Sequence, residues 1–361
     1  MEDAWLSPLP GVMNRISLAR PDDFHLHLRD GAAMRAIVGF TAARFGRAVV
    51  MPNLRPPVTT TALALEYRQR ILAALPAGCR FEPLMSLYLT DNTPAQEVDR
   101  AIASGAVCGM KYYPAGATTN SDSGVTRLER TFAVLERMEE RGLVLQVHGE
   151  VTDESVDVFD RERVFVEQQL ARIVERFPAL RVVLEHVTTR ESVAFVDAQA
   201  GKVAATITPQ HLLLNRNALF AGGLRPHHYC LPVLKREADR AALLAAATSG
   251  SPKYFLGTDS APHSRGDKES ACGCAGVFSA PAAIELYAEA FEQAGALDRL
   301  EGFASRHGAD FYGLPHNPGS ISLVRESWTP PATYPFGGAE IVPFRAGGTV
   351  SWRLDSQERP S

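Results

Sequence analysis

Arg181-Val182-Val183-Leu184-Glu185-His186-Val187 is an apolar run that lacks the in-and-out alternation of a half-solvated strand. A strand that is apolar on both faces is buried on both faces, and the architecture that does this is a parallel sheet covered by helices. The neighbouring segments agree: Arg161 to Phe177 and Thr189 to Ala200 carry apolar residues at helical spacing. The same unit recurs along the chain. Strands are expected at the end of the extended run Arg15 to Leu28, and at Arg47 to Asn53, Phe81 to Leu89, Gly109 to Tyr113, Leu143 to Val151, Arg181 to Val187, Val203 to Thr208 and Tyr254 to Thr258. Helices are expected at Gly31 to Phe45, Thr61 to Leu75, Pro94 to Ser104, Arg127 to Arg141, Arg161 to Phe177, Thr189 to Ala200, Lys235 to Ser249 and Ala280 to Ala294. Eight strand-helix units in series predict an α/β chain folded as a (β/α)8 TIM barrel. No glycine-rich phosphate fingerprint opens any of these helices, which counts against a doubly wound nucleotide-binding sheet.

The barrel accounts for residues from about 20 to 314. The tail from 315 to 361, rich in Pro and Gly with short runs at Ile341 to Phe344 and Thr349 to Leu354, is too short for its own core and is expected to pack on the barrel. Residues 1–361 therefore read as a single domain with short N-terminal and C-terminal extensions. Composition fits an ordinary globular enzyme, with 45% hydrophobic and 22% charged residues and a net charge of −4. No basic stripe suggests nucleic acid and no run approaches a membrane span, so neither partner is expected. Met1 to Leu9 has no basic and then apolar leader pattern. Five cysteines, an odd number, point to a reducing compartment, and the cytoplasm is expected. Cys272-Gly273-Cys274 could hold a metal, but with no second cysteine pair nearby ordinary thiols are the simpler account.

Chemistry in such a barrel sits where the strands end and their loops begin. The polar residues that interrupt the apolar runs fall there: His25 and His27 on the first strand, Asn53 on the second, Lys111 on the fourth, His148 on the fifth, His186 on the sixth and Asp259 on the eighth. Two histidines two residues apart on an extended segment face the same way and can share a metal ion. Alone they read equally well as half-buried core histidines. Four imidazoles and one carboxylate exceed one tetrahedral zinc site and under-fill two, unless a ligand is shared. Lys111 is the one candidate at the fourth strand: a lysine amine that has reacted with carbon dioxide becomes a carbamate with two oxygens. Its plain alternative is a buried ion-pair partner.

Read together, H-L-H-L-R-D (25–30), V-V-M-P-N-L (49–54), K-Y-Y-P (111–114) with its A-T-T-N loop (117–120), V-H-G-E (147–150), E-H-V-T-T (185–189), T-I-T-P-Q-H (206–211) and G-T-D-S-A-P-H (257–263) resemble the bacterial dihydroorotases of the shorter, monofunctional type, in the amidohydrolase superfamily. The likeness runs from about Arg20 to Leu314; the two chain ends, the stretch Thr329-Pro330-Pro331-Ala332 and Gly116 depart from it. The resemblance implies two zinc ions, one held by His25, His27 and Asp259, the other by His148 and His186, with carboxylated Lys111 and a hydroxide bridging them. It also implies reversible cyclisation of N-carbamoyl-L-aspartate to L-dihydroorotate, a step of de novo pyrimidine synthesis, with Asp259 as general acid and base, and a homodimer.

On the same likeness Arg29, Asn53 and His263 would cradle the substrate carboxylate. Thr118 and Thr119 would close over the substrate from a mobile loop, and the backbone near Leu231 and Ala275 would meet its ring. Singly, each has a plainer reading: a surface ion pair, a turn residue, a loop histidine, a flexible loop. Two alternatives stay open: another cyclic amidohydrolase such as a hydantoinase or allantoinase, and a non-catalytic scaffold of the same fold. His211, His227, His228, His307 and His316 are given no chemistry.

Overall fold

The computed structural model describes residues 14–355; the lead Met1 to Leu9, where no export leader is expected, lies outside them. Eight parallel strands follow one another in chain order around a sheet: β2 (Asp22–Leu26), β3 (Arg47–Val50), β4 (Glu82–Leu89), β5 (Val107–Tyr112), β6 (Val144–Val147), β7 (Val182–Leu184), β8 (Val203–Ile207) and β9 (Tyr254–Leu256). Last and first strands meet just beyond their ends, where Asp259 N–H donates to His25 O at 2.9 Å and His27 N–H to Ser260 O at 3.1 Å. The sheet is thereby nearly closed into a barrel. All of β7 is buried, as its apolar run requires.

The extended run Arg15 to Leu28 is two strands. Arg20-Pro21 breaks it, and β1 (Arg15–Ala19) leaves the barrel to pair antiparallel with β10 (Ser320–Val324), which also pairs with β13 (Arg353–Leu354). The hairpin β11 (Tyr334–Phe336) and β12 (Ala339–Ile341) lies against the first helix, Gly31–Arg44, with the Phe40 and Tyr334 rings 4.7 Å apart. Asp30 caps that helix by accepting from Gly31 N–H. The helix expected from Arg161 to Phe177 is present but carries a π turn at Val166–Leu170. Among the described residues no helix is long and apolar enough to cross a membrane.

A short helix absent from the sequence reading, His307–Tyr312, fills the barrel's N-terminal end. Phe24, Val49, Leu84, Val144, Val183, Ala204 and Phe255, one from each of seven strands, form a single cluster with Ala309 and Tyr312. Side chains from strands all round a sheet can meet only inside it, so this cluster is the barrel's floor. Gly308 lies directly on it: a Cβ there would fall 2.2 Å from the Phe24 ring, which is wedged between Phe255 and Tyr312. Alanine normally stabilises a helix over glycine by about 0.5–1 kcal/mol, but overpacking a rigid ring costs about 1–3 kcal/mol. The clash wins. Gly308→Ala is expected to lower the melting temperature by several degrees, and a melt no lower than wild type would show that the floor can yield.

Candidate active site

The strands converge at their C-terminal ends on one cluster of titratable groups. His25 Nε2 and His27 Nε2 lie 3.3 Å apart, and Asp259 Oδ1 is 3.4 Å from the first and 3.1 Å from the second. All three residues are buried, although Asp259 is some 230 positions away in sequence. Their neighbours set the imidazole tautomers. His25 Nδ1 is 3.0 Å from Glu185 Oε2 and His27 Nδ1 is 2.8 Å from Asn53 Oδ1, both acceptors. Each Nδ1 therefore carries the proton, and each Nε2 offers a lone pair. Two lone pairs and a carboxylate oxygen facing one another repel in a buried site, and a cation removes that repulsion. The donor set thus fits a divalent metal.

A second group adjoins the first. His148 Nε2 lies 2.8 Å from Glu150 Oε2, which frees Nδ1 as a ligand atom. His186 Nδ1 is buried with no hydrogen-bond partner. The His186 ring centroid is 4.8 Å from that of His148 and 5.0 Å from that of His25. Lys111, on β5, is fully buried, and its Nζ has no hydrogen-bond partner either. Burial pulls the lysine down to about 8, although Glu185 and Asp259 partly oppose the shift. The amine is then neutral in about a tenth of molecules at pH 7, far more often than an ordinary lysine. Glu185 Oε1, Glu150 Oε1 and Tyr113 OH are also buried without partners. Orphaned polar atoms are uncommon in folded interiors, and several beside one cleft mark a place built to hold something.

The backbone is strained at the same place. Of five non-glycine residues with positive φ among the described residues, three are Arg29 (59°), His186 (42°) and Asp259 (44°). Such conformations persist only where the surrounding structure over-determines them.

Arg29 extends its guanidinium along the cleft, with Nε donating to Pro262 O at 2.8 Å and Nη2 lying 2.8 Å from His263 Nε2. His263 Nε2 is also 3.1 Å from Ala275 O. One ring nitrogen cannot accept from Arg29 and donate to Ala275 at once. Burial, with the charges of Arg29 and Lys268, holds His263 down at about 2, so the ring is neutral and must choose. Asn53 Nδ2 donates to Thr119 O at 3.0 Å, and Thr119 Oγ1 is 3.5 Å from Ala275 O. Asn120 Nδ2 donates in turn to Asn53 O at 3.0 Å. The segment from Pro114 to Gly124 is therefore folded down over the cleft. Thr118, Thr119, Leu231 and Ala275 are all wall residues, and the free space left is about 20 Å³, room for a single water.

Every residue singled out from the sequence lies in or directly against this cleft. Glu185, Glu150 and Tyr113 do as well, and the sequence reading missed them. The signal was there for the two glutamates, each a charged residue interrupting an apolar run beside a histidine. Asp23 was also missed: it accepts from His25 N–H, Thr258 N–H and Thr258 Oγ1 and ties β2 to β9 behind the histidines. The histidines given no chemistry have local partners: His211 bonds Thr208 and Pro232, His227 Glu269, His228 Ala218, His307 Tyr254 and His316 Asp310. Cys272 and Cys274 remain free thiols with sulfurs 3.7 Å apart.

Comparison with known proteins gives a consistent result. Residues 10–323 match the model of the amidohydrolase family. A dihydroorotase of Aromatoleum aromaticum is 67% identical over 343 residues, which cover 95% of this chain and 100% of the relative. Among solved structures, a dihydroorotase of Saccharomyces cerevisiae in complex with 5-fluoroorotic acid superposes with a TM-score of 0.88 at 33% identity, covering 95% of this chain and 99% of that one. An L-hydantoinase of Arthrobacter aurescens reaches a TM-score of 0.77 at only 15% identity, over 94% of this chain and 83% of that one, a likeness of fold alone.

Proposed function

The chain belongs to the dihydroorotases of the amidohydrolase family, and from that premise we propose that its cleft carries the reversible cyclisation of N-carbamoyl-L-aspartate to L-dihydroorotate. The observation that supports this most is the convergence of His25, His27 and Asp259 on one point beside the partnerless Lys111 Nζ and His186 Nδ1. His25, His27 and Asp259 would hold one zinc ion, His148 and His186 a second, and Lys111 carboxylated on Nζ would bridge them. Bound zinc would polarise the reacting carbonyl and lower the pKa of water beside it.

The chain's own groups divide the remaining work. In ring closure the terminal ureido nitrogen attacks the side-chain carboxyl carbon of carbamoyl aspartate, an N–C bond forms and water leaves. The nitrogen must lose a proton, and Asp259, a carboxylate held at the centre of the cluster, accepts it. In ring opening Asp259 returns that proton to the departing ring nitrogen. Arg29, Asn53 and His263 hold the carboxylate that stays outside the ring. Binding there gives the Arg29 fork an anion and lets His263 Nε2–H turn wholly to donation, which removes the conflict at that nitrogen. Thr118 and Thr119 cover the bound substrate and exclude water.

Arg29→Met is expected to raise KM for dihydroorotate by roughly 10- to 100-fold, because a charge-assisted hydrogen bond contributes about 1.5–3 kcal/mol, while kcat changes little. Steady-state kinetics with a zinc assay check this; an unchanged KM would remove Arg29 from the cradle. Turnover of dihydroorotate and hydantoin measured side by side tests the whole assignment. Strong hydantoin hydrolysis with none of dihydroorotate would replace it with the hydantoinase reading. A non-catalytic scaffold has no need to keep metal-ligating side chains together, and the convergence of His25, His27 and Asp259 speaks against that reading. We further propose a single domain over 1–361 and a homodimer, both from the family likeness, and a cytoplasmic location, which the five free thiols support.

A further inference from the structure

Lys268 ends a four-residue helix, Arg265–Lys268, behind the wall of the cleft, and is 3% exposed. Its ammonium makes three short hydrogen bonds to backbone carbonyls: Tyr229 O at 2.8 Å, Cys274 O at 2.7 Å and Gly276 O at 2.8 Å. An ammonium has three protons, and all three are used. Among the described residues no carboxylate is paired with it, so its hydrogen bonds go wholly to backbone of two different loops. Those loops are the ones that carry the ring-facing wall, Leu231 following Tyr229 and Ala275 lying between Cys274 and Gly276. Besides Lys268, a single backbone bond, Gly276 N–H to Tyr229 O at 3.0 Å, ties them together here. On its other side Gly276 is pressed against the segment that follows β9, where a Cβ on it would fall 2.4 Å from Ala261 O.

The carbonyls fix where the amides point. The cis peptides among the described residues are Arg55–Pro56 and Leu231–Pro232, so the Cys274–Ala275 peptide is trans. In a planar trans peptide the N–H is antiparallel to the C=O. With Cys274 O drawn back onto Lys268, the Ala275 N–H points the opposite way, out of the wall that Ala275 forms. Among the described residues that N–H has no acceptor. Resting on the dihydroorotase reading, we infer that Lys268 is a positioning residue: by holding the carbonyls of Cys274, Gly276 and Tyr229 it aims the Ala275 N–H into the cleft, where it donates to a carbonyl oxygen of the substrate ring. Lys268 touches no substrate itself. It acts through the peptide plane, and so it should govern ring binding more than proton transfer.

Lys268→Met, Lys268→Gln and Lys268→Arg are compared with the wild-type holoenzyme. Losing one aimed hydrogen bond predicts a KM for L-dihydroorotate about 10-fold higher in K268M and K268Q, with kcat within about threefold and zinc content unchanged. K268R, which keeps donors and charge, should recover most of the KM. A purely structural lysine would instead lower the melting temperature and kcat with KM unmoved, and that result overturns the inference. If K268M fails to fold, the same KM reading on K268Q decides. Should the wild type turn over hydantoin and not dihydroorotate, the functional assignment fails by itself. The Lys268 inference is then judged on the hydantoin KM, since that ring also presents carbonyl oxygens.

Discussion

Asp259→Asn is expected to lower kcat for dihydroorotate, in both directions, by about 10³-fold, within the roughly 10²–10⁴-fold that a positioned acid-base group supplies. Asparagine keeps the size of the side chain and one carbonyl oxygen that can still face His25 and His27, so the cluster should survive. It loses the ability to accept a proton. The change is therefore confined to the step in which the ureido nitrogen is deprotonated or the ring nitrogen protonated, and KM should move far less than kcat. Rapid-quench or steady-state kinetics with zinc analysis on the same sample make the check. If the variant keeps its metal and more than a tenth of wild-type kcat, Asp259 is a ligand only, and the proton carrier must be sought elsewhere in the cleft. Loss of zinc along with activity would instead assign the effect to ligation.

The second large effect falls on Lys111. Lys111→Met replaces a buried amine that has no hydrogen-bond partner with an apolar chain of similar length. Activity should fall by about 10³-fold or more, because the proposed bridge would keep two ions in place and so support several kcal/mol of transition-state stabilisation. Zinc content should fall below that of the wild type. Thermal stability of the metal-free protein should move the other way: removing a buried unsatisfied amine relieves about 1–3 kcal/mol. An inactive variant that melts higher without metal than the wild type is the signature of a residue kept for function at a cost in stability. An active, fully loaded K111M would rule out the carbamate.

Most of the fold was legible because parallel strands buried on both faces are nearly pure apolar runs, and a polar residue at the end of such a run stands out. His148 in a Val-Leu-Gln-Val run and Asp259 after Tyr-Phe-Leu were visible for that reason. Glu185 and Glu150 carried the same signal but sat beside more conspicuous histidines; their role, setting which imidazole nitrogen is free, is a property of distances and not of pattern. Helix His307–Tyr312 was missed because Gly302, His307 and Gly308 spoil its helical periodicity, and Gly308 is there for contact with Phe24. The split at Arg20-Pro21 had a local sign in the proline. The departure of β1 to a distant strand had none, since β10 lies some 300 residues on. Lys268 could not have been found: its importance lies in three carbonyls, which every sequence has everywhere.

The seam of the barrel has a bearing on how the protein is made. His25 and His27 emerge from the ribosome before Asp259, which comes some 230 residues later and reaches them through the bonds that join β9 to β2. At any earlier point in synthesis the two histidines have no third partner and the first strand has one edge unpaired. Contacts of such sequence separation form late and slowly. A partly made chain is therefore both unable to complete the His25–His27–Asp259 cluster and open to pairing with another chain along that edge. The last strand of the barrel, β9, ends both conditions at once.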